Sequence, residues 1–494
     1  MENISLGMML EEVSTAYPGN TSLIYKDRTI TYKELNQTVT AFVGVLNNLG
    51  INKGDKVALM LPNIPEFVMS YFAVVRLGAV AVTLNILSTP YELKYLLSNS
   101  DSKVFITTSS QEKKFEAIAK DLPLCRHIVL TDGPDSKDLF QGAIRKEPFE
   151  REVPTIDGDD PAVMIYTSGL TGNPLGAVLT HKNLSTQSTL LRDMCAGTEH
   201  DRGLSLIPFF HSFGAVANML GVIKLGASTV LMDQFNIDTI FQTIEKEKVT
   251  YIAAVPRLFL GMLLHKSADT YDCSSLRLCI TGGSTMPPEY IPMFEQRFGV
   301  KLMEGYGLTE ASPVCSFSRL DMEQKPGSIG IPIPGAAAKV FDGKGNEQPS
   351  GKVGELVIKG ANVMKGYYKD EKATGDVIHD GWLHTGDLAT IDDDGYIFLT
   401  GRKKRMIITS GFNVYSREVE IVLNMHPAVK ESKVGAKPDL MRGEIVKALI
   451  VTKEELSVDE KEIMKHCRTY LSSFKVPREV EFVESLDADG EATS

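Results

Sequence analysis

From Thr31 onward, apolar positions recur with a helical period. Leu35, Val39, Phe42, Val43, Leu46 and Leu49 share one face. Thr31 and Glu34 have capping-box spacing and Gly50 suits a C-terminal stop, so the pattern predicts a helix between them. Val57–Leu61 then reads as a short buried strand. Asn63-Ile64-Pro65 opens a second helix, with proline near its first turn. Val80–Leu84, Pro90–Leu97 and Val104–Thr107 continue as strand, helix and strand. Repeated strand–helix–strand units predict an α/β fold with doubly wound, mostly parallel sheets and helices on both faces.

After about residue 320 the pattern changes. Proline and glycine become frequent, and short alternating runs such as Gly354–Lys359 and Tyr396–Thr400 predict a small antiparallel, β-barrel-like subdomain. Asp392-Asp393-Asp394-Gly395 has turn chemistry and lacks the spacing of an EF-hand calcium loop. A basic run, Gly401-Arg402-Lys403-Lys404-Arg405, reads equally as a linker or as a solvated charged turn. Beyond it, a helix near Ser416–Leu423, strands near Val429–Gly435 and Ile445–Val451, and a helix near Val458–Leu471 suffice for a small α+β domain. The expected division is an N-terminal domain over 1–401, a hinge at 402–405 and a mobile C-terminal lid domain over 406–494.

A chain of 494 residues is too long for one compact core, which agrees with two domains. Its net charge of −11, from 52 basic and 63 acidic residues, argues against nucleic acid as the main partner. Cys125, Cys195, Cys273, Cys279, Cys315 and Cys467 form no CxxC pair and read as reduced thiols of an intracellular protein. Met1–Glu11 lacks the basic and apolar parts of a secretion signal. The apolar stretch Phe67–Leu84 is broken by Arg76 and Gly78, and Leu204–Met232 by Pro208, His211 and Lys224. Both read as buried segments, not membrane spans. A cytoplasmic protein is expected, with peripheral membrane contact left open.

Four segments carry candidate chemistry. Tyr166–His181 contains Y-T-S-G-L-T-G-N-P-L-G, whose hydroxyls and exposed backbone N–H groups suit an anionic phosphate. It is not a Walker loop, because the lysine is missing and the strand-like run Ala177–Leu179 follows. In Glu304-Gly305-Tyr306-Gly307-Leu308-Thr309-Glu310 a tyrosine between glycines suits a nucleobase platform. The carboxylate after the hydroxyl can hold Mg²⁺ while phosphates supply the remaining oxygens. Gly381-Trp382-Leu383-His384-Thr385-Gly386-Asp387 ends in an aspartate suited to both hydroxyls of a ribose. Arg402 is a fixed cation for ribose or phosphate.

In this order and spacing, Y-T-S-G-x-T-G-x-P-x-G, G-Y-G-L-T-E, G-W-L-H-T-G-D and G-R-K-K resemble the adenylate-forming (AMP-binding) superfamily of acyl- and aryl-CoA synthetases. The resemblance runs to Phe474-Lys475-Val476-Pro477 and implies an ATP-dependent acid–CoA ligase. Members join a carboxylate to AMP, and many then rotate a small C-terminal domain and transfer the acyl group to coenzyme A. It implies that Thr167, Ser168, Gly169, Thr171 and Gly172 cradle ATP phosphates, and that Gly282, Gly283, Ser284 and Tyr306 frame adenine. Thr309 would meet the α-phosphate, Glu310 hold Mg²⁺, Asp387 bind the ribose and Arg402 the ribose or phosphate. Lys404 falls at the family's hinge, and Gly411 would line the pantetheine tunnel in the rotated state. Pro208–Gly214 matches the aromatic motif of acyl-CoA synthetases, with His211 beside the acyl pocket. The aspartate with which amino-acid-activating members grip an amine is not seen. A medium- or long-chain fatty acid is therefore expected first and an aryl acid second.

Three departures bear on activity. Leu175 replaces the lysine of the family's P-K-G, and Leu170 its usual hydroxyl residue. No lysine follows Lys475, where the family carries a T-G-K segment, and Arg405 stands where an acid is usual after the hinge. Losing one preorganised stabiliser of transition-state charge typically costs about 10²–10³ in rate. Slow adenylation with surviving transfer to coenzyme A is expected. A non-catalytic nucleotide- or acyl-CoA-binding protein is the alternative, and loading of a carrier protein a third reading.

Overall fold

The computed structural model describes residues 5–132, 154–167, 172–402, 406–439, 441–453, 456, 458–486 and 492–493. The helix predicted after Thr31 spans Tyr32–Asn48. Its capping box is closed: Thr31 Oγ1 accepts from Glu34 N while the Glu34 carboxylate accepts from Thr31 N at 2.8 Å. Its apolar face, from Leu35 to Leu46, is buried. The proline-led helix Pro65–Arg76 has no polar face. It lies in the core that joins side chains of two sheets, which is why its sequence is apolar all round. Arg76 ends it inside the protein, donating to Asn36 Oδ1 (2.6 Å) and Thr40 Oγ1 (2.9 Å). Among the described residues no helix is long and apolar enough to cross a membrane.

The first sheet has seven strands. Pro161–Thr167, Val80–Thr83, Lys56–Met60, Ser102–Thr107 and His127–Leu130 run parallel in that order. Leu175–Thr180 and Gly366–Tyr367 extend it antiparallel. The second sheet has nine strands, with a parallel centre formed by Lys301–Gly307, Leu278–Thr281, Tyr251–Ala254, Arg202–Ser205 and Ser228–Leu231. The strand Thr21–Tyr25 joins this second sheet beside Ser228–Leu231, not the sheet that its sequence neighbours build. A long-range pairing of that kind leaves no local signal in the hydrophobic pattern.

The run after residue 320 forms a five-stranded antiparallel sheet of Ala336–Phe341, Gly354–Gly360, Trp382–Ile391, Ile378–His379 and Ile397–Arg402. Its aspartate-rich turn is tied locally: Asp392 Oδ1 accepts from Asp394 N and Tyr396 N, and Lys325 bridges Asp392 and Asp394. The small C-terminal domain has its own sheet and core. Strands Met406–Thr409, Phe412–Tyr415, Val429–Asp439, Gly443–Thr452 and Glu479–Phe482 pack against helices Ser416–Asn424 and Glu460–Tyr470. All six cysteines are free and buried.

Candidate active site

Parallel strands end where the chain leaves a sheet, so their carboxyl ends collect loops. Thr167 ends one central strand and Thr281 another, and Gly282, Gly283 and Ser284 follow directly. Tyr306 lies near the end of Lys301–Gly307, and Thr309 and Glu310 sit in the 3₁₀ turn beyond it. Asp387 and Arg402 face each other as register partners on neighbouring antiparallel strands. His211 caps the helical run Ser212–Lys224, with its Nδ1 accepting from Phe213 N. The structure brings Thr167, His211, Gly282, Gly283, Ser284, Tyr306, Thr309, Glu310, Asp387, Arg402 and Gly411 to the wall of one cavity of about 280 Å³. Ser168, Gly169, Thr171 and Lys404, together with Leu170 and Arg405, lie outside the described residues.

The polar end is tightly connected. Tyr306 OH donates to Asp387 Oδ2 at 2.6 Å, and Arg402 Nε donates to Oδ1 at 3.0 Å. Burial pushes the Tyr306 phenol well up, so the hydroxyl remains a donor. The turn that delivers Asp387 is held from behind by Glu355, which accepts from Gly386 N at 3.1 Å and bonds His384 Nδ1 at 2.9 Å. Glu310 Oε1 accepts from Tyr367 OH (2.8 Å) and Thr167 Oγ1 (3.2 Å). Burial, then the Glu310 charge, keeps Tyr367 protonated. Both donors occupy one oxygen of Glu310, a geometry that fits a single carboxylate contact to Mg²⁺ completed by phosphate oxygens. Among the described residues no group of three or more His, Cys, Asp or Glu is placed to hold a metal by itself.

The other end of the cavity is apolar. Leu190, Leu191, Cys195, Phe213, Ala217, Tyr251, Ile280 and Phe317 line it and pack as one cluster. The helical run above it contains a π turn, Val216–Leu220, which places Val216 and Ala217 on the wall. Gln187, an amide on the cavity wall, is tied to the backbone: Nε2 donates to Val314 O at 3.1 Å and Oε1 accepts from Val314 N at 2.9 Å. Tyr251 OH likewise donates to Ala217 O. The eight side chains of this arm carry no charge, and Glu304, whose carboxyl burial raises to about 7, also lines the cavity. Burial lowers the His211 imidazole to about 4, so the ring at its mouth is neutral above that pH.

The small domain closes the site from above. Gly411, at φ +85° on a hairpin tip, sits so that a Cβ would stand 2.7 Å from Val255 Cγ1. Beside it Arg257 donates to Ser410 Oγ. Asn413 and Tyr415 of the same hairpin reach the cavity wall. Gly172 does not line the cavity. A Cβ there would stand 2.4 Å from Ile421 Cδ1 and 3.1 Å from Arg417 Cγ, on the helix Ser416–Asn424. Leu175, two residues past Asn173, lines the cavity opposite Thr167 in the strand register. Sequence reasoning missed Tyr367, whose Gly-Tyr-Tyr setting carries no motif, and Gln187, an ordinary helical polar residue.

A polar end with paired aspartate, arginine and tyrosine, an apolar arm, and a small domain closing over both define the adenylate-forming class of enzymes. The chain belongs to the AMP-binding enzyme family. The family model matches residues 10–368, and the model of the AMP-binding enzyme C-terminal domain matches residues 418–492. It is similar to a long-chain-fatty-acid–CoA ligase of Bacillus subtilis, with 34% identity covering 98% of this chain and 92% of that protein. It is 33% identical to a feruloyl-CoA synthase of an Amycolatopsis species, over 99% of this chain and 97% of that one. In fold it resembles a double mutant of the o-succinylbenzoate CoA synthetase of Bacillus subtilis bound with its product analogue OSB-NCoA. That match has a TM-score of 0.86 and 28% identity, over 98% of this chain and 97% of the other.

Proposed function

We propose that this protein is an AMP-forming carboxylic acid–CoA ligase whose acid is apolar, a medium- or long-chain fatty acid first. The observation that carries this reading is the uncharged arm opening into the same cavity as Glu310, Asp387 and Arg402. In the first half-reaction a carboxylate oxygen attacks the α-phosphorus of ATP and pyrophosphate leaves. In the second, the coenzyme A thiol loses its proton, its sulfur attacks the acyl carbon, and AMP leaves.

Thr167, Ser168, Gly169, Thr171 and Gly172 would cradle the ATP phosphates, with Thr309 at the α-phosphate. Tyr306 with Gly282, Gly283 and Ser284 frames adenine. Asp387 takes the ribose hydroxyls while Tyr306 and Arg402 fix its orientation. Glu310, steadied by Thr167 and Tyr367, would hold Mg²⁺, which supplies positive charge against the phosphates when bound. Neutral His211 orients the acid's head at the mouth of the arm without adding charge. Gly411, having no Cβ, lets the hairpin tip close against Val255 on the wall along which pantetheine would pass, and 402–405 would be the hinge of the moving domain. Leu175 leaves the phosphate side short of a cation, so adenylation is the slower half-reaction.

An aryl acid is the second reading, favoured by the rings of Phe213, Tyr251 and Phe317 in the arm. The test is incubation with Mg-ATP, coenzyme A and a series of fatty and aryl acids, following AMP release and thioester formation. A maximum among fatty acids supports the first reading and a maximum among aryl acids the second. ATP binding without turnover of any acid, or of synthetic acyl-adenylate, rejects both in favour of a non-catalytic binding protein.

A further inference from the structure

Outside the cavity, a buried ionic cluster spans the two domains. Lys475 Nζ lies 2.9 Å from Glu92 Oε1 and 2.6 Å from Glu418 Oε1. The three side chains are only 11%, 7% and 9% exposed. Glu92 belongs to the helix Pro90–Asn99 of the large domain, whereas Glu418 and Lys475 belong to the small one. Glu92 Oε2 also accepts from Ser472 Oγ at 2.7 Å and from Thr89 N at 2.8 Å. Around this cluster Thr89 Oγ1 donates to Tyr470 O, and the ring of Tyr91 meets that of Tyr470 edge-on at 5.4 Å.

The three charges are not equivalent. Lys475 and Glu418 move together with the small domain, and burial raises the Glu418 carboxyl, whose Oε2 has no hydrogen-bond partner. Glu92 comes from the other domain, and its contacts to Lys475 and Ser472 exist only with the domains docked in this arrangement. Despite burial, which opposes it, Lys475 holds the Glu92 carboxyl below its ordinary range. Buried ion pairs add little net stability against an apolar substitute, and their best-attested use is to specify one geometry. The geometry specified here reaches the cavity by a short path. Phe474, next to Lys475, stacks on Phe412 at 4.6 Å, and Phe412 adjoins Gly411 at the hairpin tip.

We infer that Glu92 is a positioning residue for the second half-reaction: it pins the small domain through Lys475 and Ser472, and so holds the Gly411 hairpin over the cavity. This rests on the ligase reading above. Adenylation, for which family members place the small domain differently, does not need the pin.

The test compares the wild-type protein with E92Q and Y91A. Glutamine keeps an oxygen for Thr89 N but offers Lys475 no charge. Tyr91 is 49% exposed, so its loss spares the core. Single-turnover conversion of dodecanoyl-adenylate and benzoyl-adenylate to the CoA thioester is measured beside ATP–pyrophosphate exchange with the matching acids. E92Q should slow thioester formation by about tenfold with exchange held within about twofold, because breaking a buried charge pair is costly. Y91A should show the same split to a smaller degree. Equal losses in both half-reactions, no loss in thioester formation, or a loss confined to exchange each overturn the inference while leaving the ligase reading intact. A wild-type protein that turns over neither half-reaction overturns both.

Discussion

Replacing Asp387 by asparagine tests the nucleotide assignment directly, because it removes one charge at nearly constant shape. The carboxylate is held by Tyr306 OH at 2.6 Å and Arg402 Nε at 3.0 Å, and its side chain is 14% exposed. Asparagine accommodates both neighbours in one orientation only. Its oxygen faces the guanidinium, which cannot accept a hydrogen bond, and its NH₂ faces the phenol oxygen, which can. The fold should therefore survive, with a melting temperature close to that of the wild type. The cost falls on the ligand. Hydrogen bonds to an ionised acceptor are worth about 1.5–3 kcal/mol and neutral ones about 0.5–1.5 kcal/mol. For two ribose hydroxyls, partly compensated by the remaining oxygen, a loss of about 2 kcal/mol follows, or about 30-fold. Pyrophosphate exchange at saturating acid and varied ATP should show KM for ATP raised by about that factor, with kcat changed only a few-fold. The AMP half of acyl-adenylate should lose affinity by a similar factor. A KM for ATP within threefold of wild type, in a folded variant, would refute the placement of the ribose at Asp387.

Three further outcomes are expected. Leu175→Lys should raise the adenylation rate by about tenfold to 100-fold and leave thioester formation from preformed adenylate unchanged, since it adds a cation only on the phosphate side. Glu304 is 5% exposed, and burial raises its carboxyl to about 7. An acid with a raised folded pKa is stabilising below about 4.5 and loses that stability as pH climbs from there through about 7, so E304Q should gain up to about 3 kcal/mol in urea unfolding at pH 8 and nothing near pH 4.5. His181 is fully buried, with Nδ1 accepting from Leu6 N, and burial lowers it to about 4. Its unfolded form protonates first, so stability should fall by up to about 3 kcal/mol as pH drops from about 6.5 to 4, a slope that H181Q should flatten.

The legible parts of the fold were those written in local chemistry. The Thr31–Glu34 capping box, the proline opening Pro65–Arg76 and the strands at Lys56–Met60 and Ser102–Thr107 all follow from residues a few positions apart. The ordered motifs likewise picked out residues that the structure gathers around one cavity, because glycines, hydroxyls and carboxylates at fixed spacing have few other uses. What escaped was long-range. Thr21–Tyr25 pairs with residues two hundred positions away, and Tyr367 finds Glu310 only once the antiparallel edge strand Gly366–Tyr367 is in place. The helix Val458–Leu471 begins later than expected, at Glu460, because Asp459 accepts from Glu462 N and caps it there.

The contact at Gly172 sets an order of events. With Ile421 and Arg417 pressed against that backbone, the end of the stretch proposed to hold phosphates is covered by the helix Ser416–Asn424. On that placement, pyrophosphate would depart before the small domain settles into this arrangement and would not return while the domain stays there. Docking would then work as a check valve, separating attack by the thiol from reversal by pyrophosphate in time.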